Sequence, residues 1–552
     1  MASENLKKTI ESYENYIVSC GIDENVINAY VMATDVAIRE EKDTEYGLIV
    51  SKRAKDLIEQ LVVKMTGGSI WDLEAYAKEN AIEYGLVNKY YELLKIESYD
   101  VFESFVVYME RKRQIKKRFY QPRKKTLCVV VDDLQTLEDS TEIKFQGISQ
   151  PSRTGKSTVC ILFLLWIAMK RPNSHNAMGG HSGILAKGFY KELLNMMTSE
   201  EYCFQELFFY WHPEYKDKPF PKDKSADEFT ITIGDSDRFA TITCRGIDGT
   251  WTGAVDVSSD GYLYIDDLVR DRQHSLSPTR MEDTFQEYLN KMVDRKNDGA
   301  KELMVGTLWN VLDPLERIRK DNIDNAAYRF RKIPALNEND ESNFDYEVNG
   351  FSTKYYHEMR DRLDKAEWEA KFMQSPFVRE GLLFPTDELR RFNGILPDGD
   401  FRRVGVTDIA WGGGDSLSMP VGAEYENGDV YIYDWVFNKG PKEVTIPLVV
   451  GRIMENEIRQ TRFEGNVGGD LYCQYVDESL QKHNYKCSCT SKKAPNKIEK
   501  LQKIIAYSGD IKRKFIFLTR KKPTPEQRDE DARLGVKRYY MSKEYQDAMD
   551  EL

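Results

Sequence analysis

The first residues in this chain that could do chemistry are a lysine and its hydroxyl neighbours at the head of an apolar run. Ser149-Gln150-Pro151-Ser152-Arg153-Thr154-Gly155-Lys156-Ser157-Thr158 lies between an alternating stretch, 142–148, and the apolar run 159–169. Strand, tight turn, Gly-Lys-Ser-Thr and helix is the layout of a phosphate-binding P-loop. A helix N-terminus offers unpaired N–H groups and partial positive charge to a phosphate. Gly155 lets the backbone come close. Lys156 would reach the β/γ-phosphates of ATP, and the Ser157 hydroxyl would ligate Mg²⁺. Ser152, Thr154 and Thr158 complete the phosphate-facing loop. Gln150 stands where G-x-x-x-x-G-K-[ST] has its first glycine, so a chance Gly-Lys-Ser at an ordinary helix start is the competing reading.

Two more stretches could serve that loop. Tyr262-Leu263-Tyr264-Ile265-Asp266-Asp267 reads as a buried parallel strand tipped with carboxylates, a Walker B element. Asp266 would hold the Mg²⁺, and Asp267 would polarise the attacking water. Leu303 to Asn310 is a third strand with a polar end that carries Thr307, placed where translocating ATPases sense the γ-phosphate. Upstream, Tyr120 and Gln121 could hold an adenine.

A second set of acids lies towards the C-terminus. Arg403 to Trp411 reads as a strand carrying Asp408, followed by a Gly412-Gly413-Gly414-Asp415 turn. Met419 to Glu426 and Asp429 to Phe437 follow around an Asn427-Gly428 hairpin signal. A helix is expected over 442–460, then a strand over 461–466 with Glu464 near its end. Helix, strand and helix run to Ser508, with a strand at 514–518 and two polar helices last. Three meandering strands followed by α/β alternation is the RNase H-like order. Asp408 and Glu464 would meet in the middle of such a sheet. A carboxylate pair there binds two Mg²⁺ or Mn²⁺ ions for phosphodiester cleavage. Two ordinary surface acids are the plain alternative in a chain with 91 acidic residues. Asp415 is a weaker candidate, since Asp is common in turns for its own sake.

The elements that must position these groups are those of an α/β protein. Strands over 142–148, 239–245, 262–266 and 303–307, with helices between, suggest a mainly parallel sheet whose ligands bind at the strand C-termini. Residues 1–118 read as helical and end in the most basic stretch of the chain, 111–125. That stretch is either a solvated helix end or a phosphate-contacting patch. The expected domains are thus a helical region 1–118, a P-loop domain 119–390 and an RNase H-like domain 391–552.

Composition fits this layout. The chain has 552 residues, 41% hydrophobic and 31% charged, long enough for several domains. No apolar run reaches membrane-spanning length, and the N-terminus is not a signal peptide. Eight scattered cysteines show no disulfide or zinc spacing and read as reduced thiols of a cytosolic protein. The net charge of −12 argues against an all-over nucleic-acid coat but leaves room for a local basic channel.

Together these residues resemble the large terminase subunit of tailed bacteriophages. The P-loop at 149–157 lacks the first glycine and carries Arg153 before Gly155-Lys156, as that family's Walker A often does. His181-Ser182, Leu185 to Lys187, Ile265-Asp266-Asp267 and Gly306-Thr307-Leu308-Trp309 are similar to its following motifs. Trp368, Gln374, Pro376 and Gly381 to Phe384 resemble its approach to the nuclease. Val406-Thr407-Asp408 and Phe463-Glu464-Gly465-Asn466 resemble two acidic motifs of that nuclease. The resemblance runs from about residue 119 onward.

It implies an ATPase and Mg²⁺- or Mn²⁺-dependent endonuclease that packages double-stranded viral DNA into procapsids. It further implies a homo-oligomeric ring, a pentamer, at the portal protein, with a small terminase subunit as partner, in the host cytoplasm and transiently at the portal vertex. Arg153 would contact the γ-phosphate, with an Arg from a neighbouring subunit as its rival. The family's third nuclease acid has no clear match: Asp547 or Asp550 would substitute, or the ligand would lie beyond Leu552, which is the favoured expectation. The alternative function is a helicase-like DNA translocase whose C-terminal domain only binds DNA.

Overall fold

Capping chemistry starts the N-terminal helices. Ser3, Asp23, Asp43 and Ser69 each accept a first-turn N–H of α1 (Glu4–Cys20), α2 (Glu24–Asp35), α3 (Thr44–Thr66) and α4 (Ile70–Glu79). Gly67, in the left-handed region at φ 74°, ends α3. α5 (Gly85–Glu97) and α6 (Phe102–Met109) follow, broken around Asp100. Val26, Tyr30, Leu57 and Ile58 form the centre of this bundle. The structure is a computed structural model that describes all residues except 1–2, 81, 83, 237, 276, 378–383, 385–387, 411–414, 466–467, 493–499, 522, 536 and 552. The contacts divide the chain into two units, Met1–Val378 and Arg379–Leu552.

The arginines of the basic stretch 111–125 are used inside the first unit, while its lysines are exposed. Arg118 is buried and forks onto Glu74 at 2.6 and 2.8 Å. Arg113 pairs with Glu110 at 2.9 Å, and Lys124 with Glu103 at 2.9 Å. Arg118 therefore ties this stretch to α4, which neither sequence reading of the stretch anticipates.

The first sheet is built from β1 (Phe145–Ser149), β2 (Asn176–Gly180), β3 (Asp223–Ser225), β4 (Thr230–Thr232), β5 (Ile242–Gly246), β6 (Tyr262–Asp266), β7 (Lys301–Gly306) and β8 (Tyr328–Lys332). Their order is β3-β4-β5-β2-β6-β7-β1-β8, parallel from β5 to β8. β1, β2 and β6 are buried at every residue, as strands covered on both faces must be. β2 is absent from the sequence reading. Its glycines are required by close packing: a Cβ on Gly179 would stand 2.9 Å from Ile265 Cδ1, and one on Gly180 2.8 Å from Leu185 Cδ2.

α7 (Lys124–Asp139) and α8 (Lys156–Lys170) pack on this sheet. Every residue of α8 from Val159 to Met169 is buried, so the apolar run is a core helix. Below it, Glu138 binds Arg171 at 2.6 Å, Lys170 at 3.1 Å and the Tyr262 hydroxyl at 2.8 Å. Lys301 donates to the carbonyls of Glu138 at 2.9 Å and Ser140 at 2.7 Å, which ties β7 to the end of α7. α9 (Gly183–Thr198), α10 (Phe204–Trp211), α11 (Arg272–Ser275), α12 (Pro278–Glu287), α13 (Pro314–Asp321), α14 (Thr353–Arg362) and α15 (Lys365–Lys371) complete the unit.

The second unit holds β9 (Arg390–Phe392), β10 (Phe401–Thr407), β11 (Leu417–Tyr425), β12 (Val430–Asn438), β13 (Gln460–Glu464), β14 (Ser488–Lys492) and β15 (Phe515–Leu518). The order is β14-β13-β10-β11-β12-β15-β9. β10 to β12 form an antiparallel meander, and β13 runs parallel to β10 and β14. This is the RNase H-like order. Gly428, at φ 84°, makes the expected turn between β11 and β12. α16 (Lys442–Glu455), α17 (Gly469–Lys482), α18 (Lys500–Lys514), α19 (Pro525–Leu534) and α20 (Lys543–Glu551) follow the strands. Met419, Val421, Phe463 and Tyr472 lie in its core. The helix expected over 442–460 stops at Glu455. Trp411 to Gly414, Gly381 to Leu383 and Asn466 lie outside the described residues.

Candidate nucleotide site and acid pair

β7 lies between the strand that enters the P-loop and the strand that carries the paired acids. Thr307, just past its end, therefore touches both. The Lys156 ammonium donates to Thr307 Oγ1 at 3.2 Å and stands 3.5 Å from Asp267 Oδ2. Thr307 N–H donates to Asp267 Oδ1 at 3.1 Å, and its hydroxyl donates to the Gln150 carbonyl at 3.0 Å. Ser152 Oγ is 3.3 Å from the same hydroxyl. One threonine thus holds the lysine, the second acid and the loop in one arrangement.

The loop itself is shaped for an anion. Arg153 at φ 65° and Gly155 at φ 104° both take the left-handed conformation, which turns successive N–H groups into one concavity. A Cβ on Gly155 would lie 2.9 Å from the Phe119 ring. Gln150 is buried, and its side-chain oxygen accepts the Thr154 hydroxyl at 3.0 Å, while the same hydroxyl also reaches the Pro151 carbonyl at 2.7 Å. The side chain that replaces the usual glycine is therefore used to brace the loop. Thr154 spends its hydroxyl there and has only its backbone N–H to offer a phosphate. Ser157 and Thr158 open α8, and Arg153 is exposed.

Asp266 is 1% exposed at the tip of β6 and bonds the Tyr264 hydroxyl and the Ser157 side chain. Burial raises its carboxyl, the Asp267 charge raises it further, and Lys156 opposes both, leaving it pushed up to about 7. A carboxyl held this way wants a cation. Ser157 and Asp266 supply a hydroxyl and a carboxylate side by side, a donor set that suits Mg²⁺, which takes few protein oxygens beside phosphate and water.

Gln121 lies in a short turn after Phe119, and Arg118 donates to its side-chain oxygen. With Trp71, Pro122, Lys124 and Glu347 it lines a cavity of about 270 Å³. Trp71 comes from α4, a contribution the sequence reading does not anticipate.

In the second unit, the β10–β13 register pairs Gly405 with Thr461 and Thr407 with Phe463. The next residues along are Asp408 and Glu464, at the ends of these neighbouring parallel strands. Alternation puts Asp408 on the face of Arg402, Val404 and Val406, and Glu464 on that of Gln460 and Arg462. Those five residues line one groove of about 490 Å³ on the sheet. Asp408 N–H donates to Ser418 O at 2.9 Å, which fixes its backbone. Asp547 and Asp550 are exposed on α20, which is anchored at β12 and β15 through Tyr545. Among the described residues, no cluster of three or more His, Cys, Asp or Glu is placed to hold a metal.

No family model matches the chain, and no curated protein matches it. Among solved structures, the chain is similar to the large terminase from a thermophilic bacteriophage. Identity is 13% with a TM-score of 0.36, over 72% of this chain and 87% of that one. The same terminase in complex with ADP gives 13% identity and a TM-score of 0.35, over 72% and 88%. The HK97 bacteriophage large terminase gives 10% identity and a TM-score of 0.34, over 75% and 90%. Among the described residues, no helix is long and apolar enough to cross a membrane.

Proposed function

We propose that the chain is a large terminase subunit, an ATP-driven motor that packages double-stranded viral DNA and cuts it with a metal-dependent nuclease. The observation that carries the reading is Thr307, bonded to Lys156 and Asp267 between a phosphate loop and a carboxylate-tipped strand. On this reading ATP enters the loop of 152–158, and Lys156 leaves Asp267 for the β/γ-phosphates. Asp267, released, orients and polarises the attacking water. Arg153 swings its exposed guanidinium to the γ-phosphate. Mg²⁺, held by Ser157 and Asp266, would spread the phosphate charge. Gln121 and its cavity take the adenine.

Asp408 and Glu464 serve the second activity. Their carboxylates would hold Mg²⁺ or Mn²⁺, which would supply an activated water and stabilise a leaving oxygen. Portal protein, small terminase subunit, a pentameric ring and action in the host cytoplasm at the portal vertex belong to the same proposal. The acid pair without a third member among the described residues favours one other reading, a DNA translocase whose second unit binds but does not cut.

Plasmid cleavage with Mn²⁺ separates the two. Cutting that disappears in both Asp408→Ala and Glu464→Ala supports the nuclease. DNA binding without cutting, unchanged by either substitution, supports the translocase.

A further inference from the structure

Gln374 is fully buried, yet it carries two polar ends and a left-handed backbone at φ 54°. For a residue with a long side chain that conformation is strained and persists only where surroundings hold it. Both ends are used. Its side-chain oxygen accepts the Leu308 N–H at 3.3 Å, and its amide donates to the Lys371 carbonyl. Leu308 directly follows Thr307, the residue that holds Lys156 and Asp267.

A second set of contacts closes around the same strand end. Lys371 sits 4.8 Å over the Trp309 ring and pairs with Glu367 at 3.2 Å. Glu367 pairs with Arg272 of α11, on the chain leaving the Walker B strand, at 3.0 Å. α15 and Gln374 therefore grip both the end of β7 and the exit from β6. The first unit ends at Val378, just after this grip.

We propose that Gln374 is a positioning residue for ATP hydrolysis. It fixes the Leu308 amide, and so Thr307, in the one place from which Thr307 can hand Lys156 to a phosphate and keep Asp267 aimed. By the same bond, a shift of Thr307 on nucleotide arrival is passed to α15 and the end of the first unit. The inference rests on the nucleotide reading above and adds a residue that touches no phosphate.

The test uses the full chain, with steady-state ATP hydrolysis and the affinity of a fluorescent ATP analogue measured together. Gln374→Met keeps the shape and removes both polar ends. It should lower kcat about tenfold, the worth of one good buried hydrogen bond, with affinity within about twofold of the parent. Gln374→Glu keeps the acceptor for Leu308, and Gln374→Asn keeps the amide and tolerates the left-handed backbone. Both should recover part of the lost kcat, and both remain informative should the methionine variant not fold. Unchanged kcat in all three variants overturns the proposal. So does a loss of affinity equal to the loss of kcat, which makes Gln374 a binding residue. A parent chain that neither binds nor hydrolyses ATP defeats the nucleotide reading itself, and is recognised without any variant.

Discussion

The P-loop end of the first unit and the acid end of the second are built on opposite principles. At the first, Lys156, Thr307, Asp267 and Gln150 are bonded to one another, and Lys156 and Asp266 are nearly sealed from solvent. At the second, Asp408 is exposed and Glu464 half-buried, on strands whose preceding residues line an open groove. A buried polar network fixes geometry before the ligand arrives, because every unmade bond there is expensive. The first site is closed and cross-bonded, whereas the second lies open to solvent.

That contrast can be broken at several points. The largest effect is expected at Asp267. Asp267→Asn weakens the partner of Lys156 and removes the proposed water-polarising group, and should lower kcat for ATP about 10³-fold with little change in plasmid cleavage. A comparable loss of cleavage would show that the two sites are not separate.

Next comes the ion cluster beneath the P-loop helix. Burial alone would raise the Glu138 carboxyl, but the Arg171 fork, Lys170 and the Tyr262 hydroxyl outweigh it and hold it down to about 2. A folded value below the ordinary 4.5 gives stability that is present above pH 4.5 and lost as pH falls towards 2. The drop corresponds to about 3 kcal/mol. Glu138→Gln should flatten that part of the acid unfolding profile, and an unchanged profile would remove the cluster from the scaffold of the site.

Gly155→Ala should be smaller. It sets a methyl against the Phe119 ring in a left-handed backbone and should cost about 1–2 kcal/mol in thermal unfolding, with weakened nucleotide binding. Smallest in its effect on stability is Asp408→Asn, at an exposed position. It should abolish cleavage yet change thermal unfolding by no more than about 0.5 kcal/mol. A larger destabilisation would mean that the acid end is as tightly built as the P-loop end.

What was legible in the sequence followed the same divide between local and distant causes. Strand β6 was readable residue for residue, because a continuous apolar run ending in Asp266-Asp267 has few other uses. The adjacency of the two strands that end near Asp408 and Glu464 followed from strand order alone. Strand β2 was missed because its glycines serve tight contacts with Ile265 and Leu185, partners remote in sequence. Arg118 belonged to a basic run by composition, and only the fold brings Glu74 from a different helix to bury it. The burial of Gln374 and its bond to Leu308 gave no signal, since a lone glutamine announces neither.

The most direct test of the central claim, that Thr307 joins a phosphate loop to a catalytic acid, is ATP turnover by the parent chain and by Thr307→Val. The valine keeps the size and the backbone N–H but loses the hydroxyl that bonds Lys156 and Gln150. Measurable hydrolysis by the parent is expected, with a kcat at least about tenfold lower in the variant. Equal turnover by the two proteins would contradict the claim.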